Sequence, residues 1–203
     1  GWLAVVMPHY RRTAAGEYLE HLACDVEWGP KGRRPKVIVR PCDHPLYIEA
    51  LARRVEHGLA TMPADTVVIF SAHSLPTRIL DEGDPYDTQL RETARLVAER
   101  TGLPADRWTF SYQSAGRTPE PWLGPQIEYY VVELGAQGHK NLLSVPIGFV
   151  ADHVEILFDI DFKAKRAAEG AGVRLERVPS LNDDPLFIAT LVDLVREHTR
   201  IPQ

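Results

Sequence analysis

Cysteine is scarce: Cys24 and Cys42 are the only two in 203 residues. Two isolated cysteines exclude a disulfide framework and a Cys-based zinc or iron–sulfur site, and they read as free thiols in a reducing compartment. No apolar run approaches the roughly 20 residues that span a bilayer, and no basic-then-apolar leader opens the chain. A soluble, cytoplasmic protein without a transmembrane segment is therefore expected. A block of like charge is also missing. The 23 Lys and Arg against 28 Asp and Glu leave a net charge of -5, so nothing marks a nucleic-acid footprint and no nucleic acid is expected as partner. Neither G-x-G-x-x-G nor a P-loop occurs, which excludes a dinucleotide binder by motif.

What is present is an alternation of short apolar runs with amphipathic stretches. Leu3 to Met7, Lys36 to Val39, Thr66 to Phe70, Trp108 to Tyr112, Asn141 to Pro146 and Val173 to Val178 read as strands. Between them the spacing predicts helices over Ala14 to Asp25, Pro45 to Ala60, Asp87 to Thr101, Pro125 to Gln137, Asp152 to Glu169 and Asp184 to His198. Gly102 and Gly138 follow two of these helices and Pro85 precedes another, the punctuation expected at helix ends. Strand–helix alternation implies an α/β fold, a doubly wound parallel sheet with helices on both faces, Rossmann-like but without the dinucleotide motif. At 203 residues one such domain with a sizeable core is the simplest arrangement. The opening Gly1-Trp2-Leu3-Ala4-Val5-Val6-Met7 has no initiator Met and reads as a core strand already under way, as though cut from a larger protein.

In an open doubly wound sheet, ligands bind beyond the carboxyl ends of the strands. Two segments there stand out: Ser71-Ala72-His73-Ser74-Leu75-Pro76, and Ile147-Gly148-Phe149-Val150-Ala151-Asp152-His153-Val154-Glu155. A neutral imidazole at His73 could accept a proton or bind a transition metal, though a loop histidine bonded to backbone would look the same in sequence. Asp152 followed by Glu155 has the spacing of a capping box, Asp152 as N-cap. Capping does not account for Asp159, which lies four residues beyond Glu155 on one helical face and repels it unless a cation lies between. His73, Glu155 and Asp159 together offer nitrogen and oxygen ligands suited to Fe(II) or a similar divalent ion. In the Pro-rich stretch from Tyr112 to Pro125, Trp122 could offer a flat apolar wall to a planar ligand, or simply pack on the sheet.

These segments, taken in order, resemble the ferrochelatases: Phe70-Ser71-Ala72-His73-Ser74-Leu75-Pro76 with Gly83-Asp84-Pro85-Tyr86, then Tyr112-Gln113-Ser114 with Pro121-Trp122-Leu123-Gly124-Pro125, then Pro146 through Glu155. The likeness runs from about Val5 to the C-terminal helix. Gly148-Phe149-Val150 and Thr118-Pro119-Glu120-Pro121 are more similar to the coproporphyrin-using bacterial branch than to the protoporphyrin branch. The resemblance implies insertion of ferrous iron into a porphyrin in haem biosynthesis, coproporphyrin III ahead of protoporphyrin IX. It gives His73 and Glu155 the catalytic roles, His73, Glu155 and Asp159 the metal, and Trp122, Tyr112 and Ser114 the porphyrin wall. Porphyrin and ferrous iron are then substrates, with no permanent cofactor and no iron–sulfur cluster.

The resemblance also implies two similar domains with the porphyrin between them, of which residues 1–203 correspond to the C-terminal domain and terminal helix. The family's N-terminal domain is expected to be absent. Lys163 stands where relatives commonly carry a third carboxylate, so a weakened outer acidic site is expected. Two further readings stay open: an isolated porphyrin- or metal-binding domain without turnover, and a single-domain chelatase for another divalent metal that rebuilds its cleft by dimerising.

Overall fold

The computed structural model describes residues 42–199 together with the strand pair Leu3–Val5 (β1) and Lys36–Ile38 (β2). The helix expected over Ala14 to Asp25, and Cys24, lie outside the described residues. In chain order there follow α1 (Pro45–Ala60), β3 (Val67–His73), a short α2 (Arg78–Asp81), α3 (Tyr86–Arg100), β4 (Trp108–Gln113), α4 (Ile127–Ala136) and β5 (Asn141–Pro146). The last elements are the long helix α5 (residues 154–170), β6 (Arg174–Arg177) and α6 (Pro185–Thr199). β3 to β6 form one parallel sheet in the order β4-β3-β5-β6, and β1 pairs with β2 in a separate parallel pair.

Each central strand buries both faces, as a parallel sheet requires. β3 alternates Val68, Phe70 and Ala72 toward one core with Val67 and Ile69 toward the other. The first core is closed by α1 and α3, through Tyr47, Leu51, Val55, Leu90, Ala94 and Val97. The second is closed by α4 and α5, through Ile127, Val131, Leu134, Ile156, Ile160 and Ala164. The expected helices on both faces are present. Val67 to His73 runs three residues beyond the strand read from Thr66 to Phe70, so His73 ends the strand rather than following it. The reason is pairing: Ser71, Ala72 and His73 register against Ser111, Tyr112 and Gln113, a ladder invisible to a reading of apolar runs.

Helix ends follow local chemistry. Gly102 and Gly138 hold positive φ of 67° and 103° just past α3 and α4, the left-handed turn that only glycine adopts without strain. α5 departs from expectation. It begins as a single α turn, Val154–Ile156, continues as a π-helical stretch, Leu157–Ala164, and ends as α over Lys165–Gly170. Glu155 is exposed while Asp159 is buried, which overturns the expectation that both line one face. Cys42 is buried. No helix among the described residues is long and apolar enough to cross a membrane.

α1 meets the sheet at Gly58, where a Cβ would lie 2.8 Å from Leu143 Cδ2 and 2.9 Å from Val178 Cγ1. Alanine would gain up to about 1 kcal/mol of helix propensity but overpack this contact by about 1–3 kcal/mol. Gly58→Ala should be net destabilising in urea denaturation, and the loss should shrink when combined with Leu143→Val, giving a non-additive double-mutant cycle.

Candidate functional site at the carboxyl edge of the sheet

His73 closes β3 at the centre of the sheet. Its backbone carbonyl accepts from Tyr86 Oη at 3.0 Å, and the next residue is bound on both sides: Ser74 N donates to Gln113 O at 2.7 Å and Ser74 Oγ to Leu123 O at 2.7 Å. The imidazole Nδ1 hydrogen-bonds to the Ser74 carbonyl. A carbonyl can only accept, so Nδ1 carries the proton and the Nε2 lone pair is left for a proton or a metal. Gln113, the register partner of His73 on the same face, is fully buried, and its Oε1 and Nε2 have no hydrogen-bond partner among the described residues. That buried amide at the strand end escaped sequence reasoning, which treated Gln113 only as part of a motif.

The loop after β5 is pressed against His73. Gly148 N donates to Ser71 O at 3.2 Å, and a Cβ on Gly148 would lie 2.6 Å from Ala72 Cβ and 2.8 Å from Ala72 Cα. Only glycine allows this approach. It delivers Phe149, whose ring meets His73 edge-on at 6.2 Å between centroids and His153 at 4.4 Å. His153, not Asp152, is the N-cap of α5: its Nδ1 accepts from Glu155 N at 3.3 Å. The capping box expected from Asp152 and Glu155 is thus replaced. Asp152 is engaged elsewhere, by Arg177 Nη1 at 2.8 Å and Asn182 Nδ2 at 3.1 Å. Burial alone would raise the Asp152 carboxyl, but the hydrogen bonds from Asn182 and Ser180 and the Arg177 guanidinium outweigh it and hold the group below its ordinary range.

Glu155 sits exposed on the first turn of α5, two residues from His153. Asp159 is buried, its carboxylate bound by Lys163 Nζ at 2.7 Å and by Ser114 Oγ. Lys163 also lies 4.9 Å from the Phe158 ring centroid. Among the described residues no three His, Cys, Asp or Glu side chains are grouped as a metal would need. His73, Glu155 and Asp159 therefore do not form a closed coordination sphere, and Asp159 already has its cation in Lys163.

The three residues expected to wall a porphyrin have different surroundings. Tyr112 is fully buried, its ring 5.2 Å from that of Phe110 and its hydroxyl donating to Asp87. Burial and the Asp87 carboxylate hold its phenol well above the ordinary range. It is a core residue beneath α3, which corrects its assignment to a cleft wall; strand alternation turns it to the face opposite His73. Ser114, with φ of 62°, turns toward Asp159 rather than outward. Trp122 is half-buried on its own loop, Nε1 donating to Thr118 Oγ1 at 2.9 Å, and its ring occupies the space a Cβ on Gly116 would need.

The fold and this edge define an open, parallel α/β domain that ends its central strand on a tautomer-fixed histidine, its ring against Phe149. The sequence comparisons agree. The ferrochelatase family model matches residues 2–199. A ferrochelatase of Deinococcus radiodurans is 48% identical over 94% of this chain and 62% of its own length. Those of Herpetosiphon aurantiacus and Thermus thermophilus are 42% and 38% identical over 93% and 94% of this chain, covering 62% and 60% of their own lengths. The chain belongs to the ferrochelatase family and spans about three-fifths of the length of these relatives.

Two outcomes follow from this geometry. Gly148→Ala should cost about 1–3 kcal/mol in denaturant unfolding, because its new methyl meets backbone, and should shift the His73 ring resonances. The depressed Asp152 carboxyl contributes stability that is present above its ordinary value, near pH 4, and is lost as pH falls through the lower folded value. Asp152→Asn should flatten stability against pH on that acid limb and leave the slope near neutrality unchanged, as followed by thermal melts from pH 2 to 7.

Proposed function

We propose that this chain supplies the metal-exchange part of a ferrochelatase, an enzyme that inserts ferrous iron into a porphyrin in haem synthesis, with coproporphyrin III preferred to protoporphyrin IX. The observation that carries the reading is the tautomer of His73: Nδ1–H is committed to the Ser74 carbonyl and Nε2 is left as a base or ligand at the carboxyl edge of the sheet. Family membership supplies the reaction, and Gly148-Phe149-Val150 with Thr118-Pro119-Glu120-Pro121 supports the porphyrin preference.

The chemistry exchanges two pyrrole N–H protons for one Fe(II), so it needs a proton acceptor and a ligand that replaces water on the metal. Nε2 of His73 takes the pyrrole protons one at a time, releasing the first to water before it accepts the second, or holds the incoming iron, in either case without any change in its hydrogen bond to Ser74. Glu155, exposed at the start of α5, offers a carboxylate to the aquo ion and delivers it toward the sheet edge. Asp159 joins only when Lys163 is displaced, since the ammonium already neutralises it. Trp122 lines the approach, while Tyr112 supports the strand from beneath.

The test is anaerobic insertion of Fe(II), with Zn(II) as surrogate, into coproporphyrin III and protoporphyrin IX, followed by absorbance. His73→Ala should lower turnover by about 10²–10⁴-fold, the range for loss of a general base, and Glu155→Gln should lower it at limiting metal more than at saturating metal. Unchanged turnover in His73→Ala would sink the proposal. Porphyrin or metal binding without turnover in a folded wild-type chain would instead support a binding domain.

A further inference from the structure

Arg177 and Asn182 belong to no motif, yet both end on the segment that carries His153 and Glu155. The Arg177 guanidinium spans two carboxylates that flank this segment. Nη1 donates to Asp152 Oδ1 at 2.8 Å, and Nε and Nη2 donate in a fork to Asp161 Oδ1 and Oδ2 at 2.7 and 2.9 Å. Asn182, held at φ of 51°, accepts from Asp152 N at 2.9 Å, donates through Nδ2 to Asp152 Oδ2 at 3.1 Å, and its own N donates to Val150 O at 2.7 Å. Ser180 N adds a longer contact to Asp152 at 3.4 Å. The end of β6 and the turn after it thus grip the chain at 150, 152 and 161, and between these points lie the His153 cap, Glu155 and Asp159.

Exposed ion pairs contribute little, but this one differs in kind. The Arg177 side chain is only 12% exposed, it meets Asp161 in a planar fork that a lysine cannot reproduce, and Asp161 lies inside the π-helical stretch. π turns are rare and need outside support. A brace on both sides of the first turns of α5 fixes where His153 meets Phe149, and Phe149 is the ring that touches His73.

We propose that Arg177 and Asn182 are positioning residues for the metal-exchange site: clasping Asp152 and Asp161, they hold His153 and Glu155 in place relative to His73. The proposal rests on the function argued above for its consequence, but not for its geometry. Two variants separate it from simple stabilisation. Asn182→Gly keeps a residue at home in positive φ and deletes only the carboxamide; Arg177→Lys keeps the charge and loses the fork. Val97→Ala, a core truncation in α3 on the other side of the sheet, serves as the control.

The measurements on the 203-residue chain are the ring ¹H–¹³C resonances of His73 and His153, which sense the Phe149 ring current, and Co(II) titration followed by its visible absorption. In both variants the His153 resonances should move toward those of a free imidazole, and Co(II) affinity should fall about 10–100-fold, the range for loss of a group that orients a metal ligand. Val97→Ala should change neither. Unaltered His153 resonances in Asn182→Gly and Arg177→Lys would overturn the positioning role, whatever their melting temperatures. Moved resonances in a chain whose wild type binds no Co(II) would uphold the positioning and defeat the metal-exchange reading instead.

Discussion

The arrangement of the site depends on one close approach: the chain leaving β5 lies directly on the end of β3. Gly148 can sit over Ala72 because it has no side chain, and the hydrogen bond from its N–H to Ser71 O extends the sheet's pairing past Pro146. Every later feature is hung from that contact. Phe149 is delivered to His73, His153 to Phe149, and the first turn of α5 to His153. A larger residue at 148 would have to lift the loop, and with it the carboxylate-bearing helix, away from the histidine.

Charge is settled locally around this contact rather than pooled in it. Asp159 is neutralised by Lys163, and Asp152 and Asp161 by Arg177, leaving Glu155 exposed on the first turn between them. Burying Asp159 without a counter-ion would cost several kcal/mol. Lys163 offsets that cost: its Nζ donates to the carboxylate and at the same time lies 4.9 Å from the Phe158 ring centroid. An acidic helix face is thereby turned into two closed ion clusters and one open carboxylate.

The elements were largely legible before the fold was known, because apolar periodicity reports burial directly. α1 and β5 carry the bounds expected from sequence, β3, β4, β6, α3, α4, α5 and α6 differ by up to three residues at their ends, and the short α2 was not among the expected elements. What misled was chemistry that has two local solutions. Asp152 and Glu155 have capping-box spacing, but His153 can also cap a helix, and Arg177 and Asn182 draw Asp152 away. Tyr112 stands beside motif residues in the chain, yet alternation in a strand sends neighbours to opposite faces, so it entered the core while Gln113 stayed beside His73.

By itself the sequence determined the α/β class, the order of its main elements, the family and the place of His73 at the carboxyl edge of the sheet. These follow from periodicity and from contiguous motifs, which are local properties of the chain. Only the tertiary structure decided the π-helical widening of α5, the tautomer of His73, the pairing of Asp159 with Lys163 and the clasp of Arg177 on Asp152 and Asp161. Each depends on which donor lies nearest in space, and that is set by how the strands register and how closely the helices pack on them.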